Sequence, residues 1–380
     1  MPYVASLSEH TDPAVAAGEA IGQVLDALGP EPDIAFVFLS GDHADEIDNI
    51  VGTIRHVLRP GIVSGATAVS VVSGGREIEE RPGLALWAGR LSGWARPVRV
   101  GVRPTDHGGA VLDELEAADA HTLVLLADPY SFPVDAAIEL WASQFPDLSI
   151  VGGLASAAHV PRGNRLVLDD HIHDAGAVGV LIGGSTSVVP VVSQGCRPIG
   201  DPLVITDGEG NLMRALGGRP ALHRLQDVFD ALPDDDKVLV NQGLHIGRVI
   251  DEQREEFTRG DFLIRAVMGA DQSSGAVMIG EEAQVGATVQ FQVRDAASAD
   301  ADLRDMLGQQ ETAQGALLFT CNGRGSHLFP QPDHDASLVV DSVLGGAVAG
   351  MFCAGEIGPV GGRNFVHGFT ASTALFRDES

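Results

Sequence analysis

The feature of this sequence that most constrains its fold is a pattern that occurs three times along the chain. Each copy consists of an apolar run typical of a buried strand, a helical segment, a second apolar run that contains glycine, a glycine-rich turn and a third apolar run. The first and second apolar runs of the three copies are residues 35–39 and 62–66, 123–126 and 150–153, and 316–319 and 348–352. A pattern repeated in this way indicates one supersecondary unit used three times.

The order of strand and helix patterns predicts how the strands of each copy pair. A strand, a helix and a second strand in succession are typical of a crossover between parallel strands. The third strand follows turn residues, such as Ser73-Gly74-Gly75 or those at 161–164, so we expect it to return antiparallel. The predicted fold is α/β (mixed α+β), in which repeated β-α-β-β units form large mixed sheets with helices on the outer faces.

A region of different character separates the second repeat from the third. From about residue 193 to about residue 315 the pattern changes to short strand-like runs, of which 288–293 alternates cleanly. Hydrophobic residues make up 44% of the 380-residue chain, enough for a sizeable core. The sequence therefore predicts two domains, residues 1–195 and residues 196–380.

The charge of the chain argues against two classes of partner. Lys and Arg number 24 against 52 Asp and Glu, which gives a formal net charge of −28. Such an acidic surface repels nucleic-acid phosphates and anionic lipid headgroups, so we expect no nucleic acid and no membrane partner. The N-terminus lacks the basic and apolar regions of a secretory signal, and the long uncharged stretch at 175–196 contains turn residues. We expect a cytoplasmic protein.

Several common cofactor and catalytic motifs are absent from the sequence. The three cysteines, Cys196, Cys321 and Cys353, have no Cys-x-x-Cys spacing, which argues against a disulfide framework or a zinc module. The chain has no Walker A sequence, no G-x-G-x-x-G between a strand and a helix, and no G-x-S-x-G. We therefore expect neither a metal ion nor a cofactor.

The densest polar cluster is residues 320–325 (Thr-Cys-Asn-Gly-Arg-Gly), directly after an apolar run. Loops beyond the carboxyl ends of strands are where α/β proteins bind ligands. Cys321 can be a reactive thiol, Arg324 can activate that thiol or bind a carboxylate, and Asn322 can help to bind an amine. The alternative is a tight turn with a buried, inert cysteine and a solvated arginine.

A second cluster follows the apolar run 348–352. Glu356 lies between glycines in the sequence Gly-Glu-Ile-Gly-Pro, where its carboxylate can bind an amine or act as a base. Asn364 and His367 follow, and His367 can transfer protons. The alternatives are a structural salt bridge for Glu356 and a satisfied strand residue for His367.

Two arginines outside these clusters are also candidates. Arg294 ends the alternating run and can face the same cleft, while the next residue, Asp295, is interpreted as the cap of a helix. Arg265 lies inside an apolar run, a position typical of a paired or ligand-facing guanidinium. Asp335, where the helix of the third repeat begins, is interpreted as a helix N-cap.

At these residues the sequence resembles the FIST family, with the N-terminal and C-terminal FIST domains in tandem from about residue 33 to about residue 376. The motifs that carry the resemblance are residues 195–200 (Gly-Cys-Arg-Pro-Ile-Gly), 293–295 (Val-Arg-Asp), 321–325 (Cys-Asn-Gly-Arg-Gly), 333–335 (Asp-His-Asp), 355–359 (Gly-Glu-Ile-Gly-Pro) and 364–369. Residues 65–68 (Gly-Ala-Thr-Ala) depart from the pattern, since relatives often carry Gly-Cys-Ser there.

The resemblance implies an intracellular sensory module of signal transduction that binds a small molecule, for which amino acids have been proposed in the family. Relatives attach the module to chemoreceptor, kinase or cyclic-nucleotide signalling domains, or to an F-box. We expect this chain to be a stand-alone sensor whose output runs through a separate signalling partner.

Our first hypothesis is a binding protein rather than an enzyme. It gathers seven residues around one cleft: Arg265, Arg294, Cys321, Asn322, Arg324, Glu356 and Asn364. There Arg324 or Arg294 binds a carboxylate, and Glu356 binds an amine. One alternative is an enzyme with Cys321 as nucleophile and His334 or His367 as base. The other is a scaffold that binds a protein partner or forms a homodimer. Binding ranks first because no Cys and His share a recognised catalytic spacing.

Overall fold

The computed structural model describes residues 2–104, 110–254, 256–258 and 260–378. Within these residues the fold is mixed α/β as predicted, with seven α-helices and 27 strands in several mixed sheets. None of the helices in this part of the chain has the length and apolarity needed to cross a membrane.

The first repeat begins with a strand and a capped helix. Its elements in chain order are β1 (Tyr3–Ser8), α1 (Pro13–Leu28), β2 (Ile34–Ser40), α2 (Ile47–Thr53), β3 (Ile62–Ala68), β4 (Ser70–Ser73), β5 (Arg76–Glu79) and β6 (Leu84–Gly89). The Asp12 carboxylate caps α1 by accepting hydrogen bonds from the N–H groups of Ala14 and Val15. Pro13 lies in the first turn, where a helix does not need its missing N–H.

The second repeat has the same order of main elements. Its strands and helix are β7 (Trp94–Val100), β8 (Val102–Pro104), β9 (Ala110–Leu112), β10 (Thr122–Ala127), α3 (Val134–Gln144), β11 (Ser149–Leu154), β12 (Leu166–Leu168), β13 (His171–His173) and β14 (Ala177–Gly183).

The next elements are β15 (Thr186–Gln194), which belongs to the third sheet, and a long insertion that precedes the three central strands of the third repeat. This insertion contains β16 (Cys196–Glu209), β17 (Leu212–Leu216), β18 (Arg219–Pro220), α4 (Ala221–Ala231), α5 (Asp234–Gln242), β19 (Leu244–Val249), β20 (Phe262–Asp271), β21 (Ala276–Ile279) and β22 (Thr288–Arg294). The third repeat then continues with α6 (Ala296–Gly308), β23 (Gly315–Cys321), α7 (His334–Val340), β24 (Val348–Cys353), β25 (Glu356–Val360), β26 (Arg363–His367) and β27 (Thr370–Asp378).

Each repeat builds its sheet around the same three strands. In the first repeat, β2 pairs in parallel with β3 and antiparallel with β6. The second repeat pairs β10 with β11 and β14 in the same two directions, and the third repeat pairs β23 with β24 and β27. The parallel crossover and the antiparallel return are therefore confirmed in all three repeats.

The three sheets are completed by an exchange of hairpins between repeats. The hairpin β12–β13 lies beside β3, β25–β26 lies beside β11, and β4–β5 lies beside β24. The second repeat thus completes the first sheet, the third repeat completes the second sheet, and the first repeat completes the third. On the opposite edge, β1, β7 and β15 pair with β6, β14 and β27, so each sheet has six strands in an equivalent order.

The described chain divides into two compact units. The larger, here called the repeat body, comprises residues 2–192, 303–366 and 370–378, and the smaller, here called the inserted unit, comprises residues 193–302 and 367–369. The inserted unit begins close to the predicted domain division at 195/196, whereas residues 303–366 and 370–378 pack with residues 2–192. The hairpin exchange explains this, because the third repeat shares sheets with the other two. The division into residues 1–195 and 196–380 stays a prediction about consecutive domains.

One apolar core of the repeat body is shared by all three repeats. Phe38, Leu126 and Phe319, one from the first strand of each repeat, belong to it. In the first two sheets, the side chains on the other face of these strands pack under helices. Val37 packs with α1 and α2, and Leu125 packs with α3. The predicted helical cover is therefore present on these two sheets.

The glycine noted in the second strand of each repeat has a steric cause. It lies directly opposite a residue of the first strand, and a Cβ there would collide with that residue's carbonyl oxygen. The three pairs are Gly65 with Val37, Gly152 with Leu125, and Gly350 with Leu318. The close approach of these two strands therefore requires glycine at the same place in each repeat.

We predict that Gly152→Ala lowers the free energy of unfolding by more than about 2 kcal/mol, because the added methyl group forces the two strands apart. Chemical denaturation measures the change. The control is Gly18→Ala on the exposed side of α1, where a Cβ meets nothing within 4 Å, and we expect it to stabilise the protein by about 0.5–1 kcal/mol. An unchanged denaturation midpoint for Gly152→Ala would contradict the close approach.

Candidate functional site

The two central strands of the third sheet end in cysteines that are register partners. Cys321 is the last residue of β23 and Cys353 is the last residue of β24, and the strands run parallel. Beyond them, the Asn322 N–H donates a hydrogen bond of 3.0 Å to the Cys353 carbonyl oxygen. The candidate site, here called the carboxyl-end site, is built by the loops that follow these strands and by the start of α7.

A buried ion pair lies at the centre of the carboxyl-end site. Arg324 is 1% exposed and Asp335 is fully buried. Arg324 Nε donates to Asp335 Oδ2 at 2.6 Å and Arg324 Nη2 donates to Asp335 Oδ1 at 2.8 Å, a two-point contact. Thr320 Oγ1 donates a further bond of 2.6 Å to the carboxylate. A solvated arginine, the alternative considered for Arg324, is wrong.

The pair controls its own protonation. Burial alone would raise the pKa of Asp335, but the Arg324 guanidinium and the hydrogen bonds to the carboxylate outweigh burial and hold that pKa below its usual range. Burial alone would lower the pKa of Arg324, but the charge and the hydrogen bonds of Asp335 outweigh burial and raise that pKa. Both groups are therefore charged at neutral pH, as a buried pair must be if it is to remain an ion pair.

Asp335 does not serve as the predicted N-cap. The capping position of α7 is Asp333, and Asp335 lies in the first turn with its carboxylate directed at Arg324. Aromatic rings cover the pair, since the Arg324 guanidinium lies 5.2 Å from the ring centroid of Phe329 and the His334 ring stacks on Phe329 at 3.4 Å. His334 Nδ1 also lies 2.9 Å from Asp335 Oδ1. These contacts fix the guanidinium in one orientation.

Glu356, the first residue of β25, is a second buried acid of the site. Its Oε2 accepts hydrogen bonds from Thr370 N–H at 3.1 Å and from Thr370 Oγ1 at 2.8 Å. Burial raises its pKa to about 8, and the bonds from Thr370, the charge of Arg324 and the thiol of Cys321 only partly oppose this rise. Glu356 is therefore mostly protonated at pH 7, a state that changes readily when a charged group arrives.

Sequence reasoning missed Glu77, which the hairpin exchange brings to the site from the first repeat. Glu77 lies on β5, is 4% exposed, and accepts a hydrogen bond of 2.9 Å from the N–H of Ala336 in α7. Burial and the nearby charge of Asp335 raise the pKa of Glu77 to about 8. Its only signal in the sequence is a charged residue in a short strand, which is ordinarily a surface feature.

Four buried polar atoms of these residues have no hydrogen-bond partner among the described residues. They are Arg324 Nη1, Asn322 Oδ1, Glu356 Oε1 and Glu77 Oε2. Buried polar atoms are almost always satisfied, because leaving one without a partner costs about 1–3 kcal/mol. These four atoms near one ion pair are therefore hydrogen-bonding groups that the described residues leave open to a further polar molecule.

The two cysteines of the site differ in their surroundings. Burial raises the pKa of the Cys353 thiol well above its usual value, with Glu356 and Cys321 as further causes. Cys321 is 9% exposed, and its Sγ accepts a weak hydrogen bond of 3.5 Å from the Gly323 N–H. Cys353 is therefore an inert thiol at neutral pH.

The remaining predicted residues lie at β26 or in the inserted unit. Asn364 joins β26 to β11, because its side chain accepts from the Ile150 N–H at 2.9 Å and donates to the Leu148 carbonyl at 2.8 Å. Arg265 and Arg294 belong to the inserted unit, as does His367. The seven residues expected around one cleft are thus divided between two compact units.

Arg265 and Asp295 are engaged in structural contacts. Arg265 Nε lies 3.3 Å from Glu281 Oε2, which is the paired alternative considered for this arginine. Asp295 accepts hydrogen bonds from the N–H groups of Ala297 and Ser298, so its predicted role as a helix cap is confirmed. No cluster of three or more His, Cys, Asp or Glu side chains within the described ranges is arranged to hold a metal ion.

We predict that Asp335→Asn lowers the free energy of unfolding by about 3–5 kcal/mol, because it leaves the Arg324 charge buried without a counter-charge. Asp341→Asn, on an exposed residue just after α7, is the matched control and should change stability by less than about 0.5 kcal/mol. Equal stability of the two variants would show that Arg324 is not held by charge.

We predict that Glu356→Gln removes part of the pH dependence of stability. Between pH 4.5 and pH 8 the folded protein keeps the Glu356 proton while the unfolded chain releases it, so the free energy of unfolding falls as pH rises through this window. Gln keeps the acceptor for Thr370 without a titratable group. Relative to the wild type, thermal stability of the variant should therefore rise from pH 5 to pH 8, whereas an exposed control, Glu114→Gln, should follow the wild type.

Comparison with known proteins gives the relationships of this chain. The model of the FIST N domain matches residues 33–219, and the model of the FIST C domain matches residues 221–359. An uncharacterized protein of Mycobacterium bovis is 43% identical over 378 residues, which is 97% of each chain. An uncharacterized protein of Mycobacterium tuberculosis is 42% identical over 381 residues, 98% of each chain. The chain therefore belongs to the FIST family and carries its N and C domains in tandem.

Proposed function

We propose that this protein is a cytoplasmic sensor that binds a small polar metabolite at the carboxyl-end site. FIST domains are generally sensory domains of signal transduction. The observation that carries the proposal is the set of four buried polar atoms without a partner around the Arg324–Asp335 pair. A ligand that forms hydrogen bonds with these atoms removes the free-energy cost of leaving them without partners, and this contributes to its affinity.

The chemistry of these four atoms favours an amino acid or a related metabolite. Arg324 Nη1 carries a donor and a positive charge, which suits a ligand carboxylate. Asn322 Oδ1 and the open oxygens of Glu356 and Glu77 can accept hydrogen bonds from an ammonium group. A bound ammonium would favour the ionised carboxylate of Glu356, so we expect binding of an amine to release a proton.

The signal of such a sensor can pass through the exchanged hairpin. Glu77 contacts the start of α7 and belongs to a hairpin of the first repeat, so a ligand bound between Glu77 and Glu356 links two repeats. We expect ligand binding to favour one arrangement of this junction, and a separate signalling partner to recognise that arrangement.

The test is a binding screen of the full chain. Native mass spectrometry of the purified protein detects a retained ligand, and thermal shift with the standard amino acids detects added ones, since a ligand at 100 times its Kd stabilises by about 2.7 kcal/mol. For a ligand that shifts the melting temperature of the wild-type protein, we expect Glu356→Gln to abolish the shift and Glu114→Gln to preserve it. An empty spectrum together with no shift for any amino acid would contradict the proposal, as would a shift that Glu356→Gln leaves unchanged.

A further inference from the structure

The inserted unit carries polar side chains that the proposed function does not use. Its main sheet places β16, β22, β19 and β20 side by side. The odd-numbered residues of β22 are apolar and pack with α4 in one core. Because side chains alternate along a strand, the opposite face of β22 presents Gln290, Gln292 and Arg294. A row of amides and a guanidinium on a sheet face needs an explanation other than packing.

Two buried side chains on this face each have one nitrogen without a hydrogen-bond partner in the described part of the chain. His245 on β19 is the register partner of Gln292, so both side chains project from the same face. Neither His245 Nδ1 nor Gln292 Nε2 has a partner among the described residues, although His245 is 4% and Gln292 is 1% exposed. Gln290, by contrast, donates a bond of 2.5 Å to the Gly200 carbonyl oxygen. The amide nitrogen of Gln290 is therefore bonded, whereas that of Gln292 is open.

The aromatic ring of Phe369, a residue with a strained backbone, contacts His245 and Arg294. The Phe369 ring meets the His245 ring edge to face at 4.1 Å, and the Arg294 guanidinium lies 5.5 Å from its centroid. Phe369 has a φ of +65°, a left-handed conformation that is costly for a bulky residue, and its carbonyl accepts a bond of 2.9 Å from the Gly195 N–H. Strain of this kind is retained where it positions a group for binding.

The electrostatics of the face favour an anion. Burial and the nearby charge of Arg294 lower the pKa of His245 to about 4, so the imidazole is neutral at pH 7 and the positive charge near this ring is that of Arg294. The guanidinium of Arg294 supplies a positive charge, and the Gln292 amide supplies a donor. Phe369 and Arg294 are both partly exposed, so the group can be reached from solvent.

We propose that this face of the inserted unit is a binding site for a small carboxylic acid with a flat, apolar body. The carboxylate accepts hydrogen bonds from Arg294 and Gln292 Nε2, while the body packs against Phe369 and the neutral His245 ring. Its residues all belong to the inserted unit, and its existence does not depend on the proposed function.

The test is isothermal titration of the full chain with benzoate and with benzamide, which has the same shape and no charge. We expect benzoate to bind and benzamide to bind at least about tenfold more weakly, because hydrogen bonds to a charged acceptor are stronger. Arg294→Met and Gln292→Glu should each weaken benzoate binding by at least about tenfold. The control is Arg265→Met, which removes a different guanidinium from the same unit. Glu281, the partner of Arg265, is also paired with Arg248, so this variant should bind benzoate as the wild type does.

Three outcomes would overturn this site: no benzoate binding, equal affinity for benzoate and benzamide, or equal losses in Arg294→Met and Arg265→Met. Circular dichroism of each variant shows whether it is folded, and Arg294→Met, at a partly exposed residue, keeps the test decisive if Gln292→Glu does not fold. Glu356→Gln should bind benzoate normally, which separates failure of this site from failure of the carboxyl-end site.

Discussion

The second strand of each repeat is hydrogen-bonded along its outer edge by a hairpin from a different repeat, and the rest of the repeat body depends on this exchange. It leaves no repeat with a complete sheet of its own, so the third repeat is bound to the first two although the inserted unit separates them in sequence. It also carries side chains between repeats. Glu77 accepts a bond from the N–H of Ala336, and the Glu77 N–H donates to Asp333 at 2.7 Å, so the start of α7 is anchored by a strand of the first repeat.

The carboxyl-end site places more ionisable groups in the protein interior than packing requires. Arg324 and Asp335 remain ionised because each compensates the other, whereas burial raises the pKa of Glu356 and of Glu77 to about 8 and so favours their neutral forms. An apolar core at the same position would avoid the desolvation of four ionisable groups. Sites that break a rule of stability in this way are where function is expected, because selection then acts on something other than folding.

The strand order within each repeat could be predicted from the sequence because it depends on local signals: apolar runs, helical periodicity and turn residues. Partners across repeats could not be predicted, because no local pattern reports which sheet a hairpin joins. For this reason Glu77 was missed and Asp335 was misinterpreted as a helix cap. Cys321, Arg324 and Glu356 were identified as candidates because they lie at or shortly after the ends of apolar runs. Arg294 is at a strand end too, but whether two strand ends lie in one compact unit is a property of the tertiary fold.

Comparison of equivalent turns indicates that the open atoms of the third repeat are not a consequence of the architecture. In the second repeat, the turn after β10 begins with Asp128, which is also fully buried. Its carboxylate accepts bonds from Asn164 Nδ2 at 3.0 Å, Ser131 Oγ at 2.6 Å and the Tyr130 N–H at 3.2 Å, so both oxygens are satisfied. The same fold can therefore bury a charged group after its first strand and complete its hydrogen bonds. The third repeat leaves Arg324 Nη1 and Glu356 Oε1 open, and these are two of the atoms to which the proposed ligand would bind.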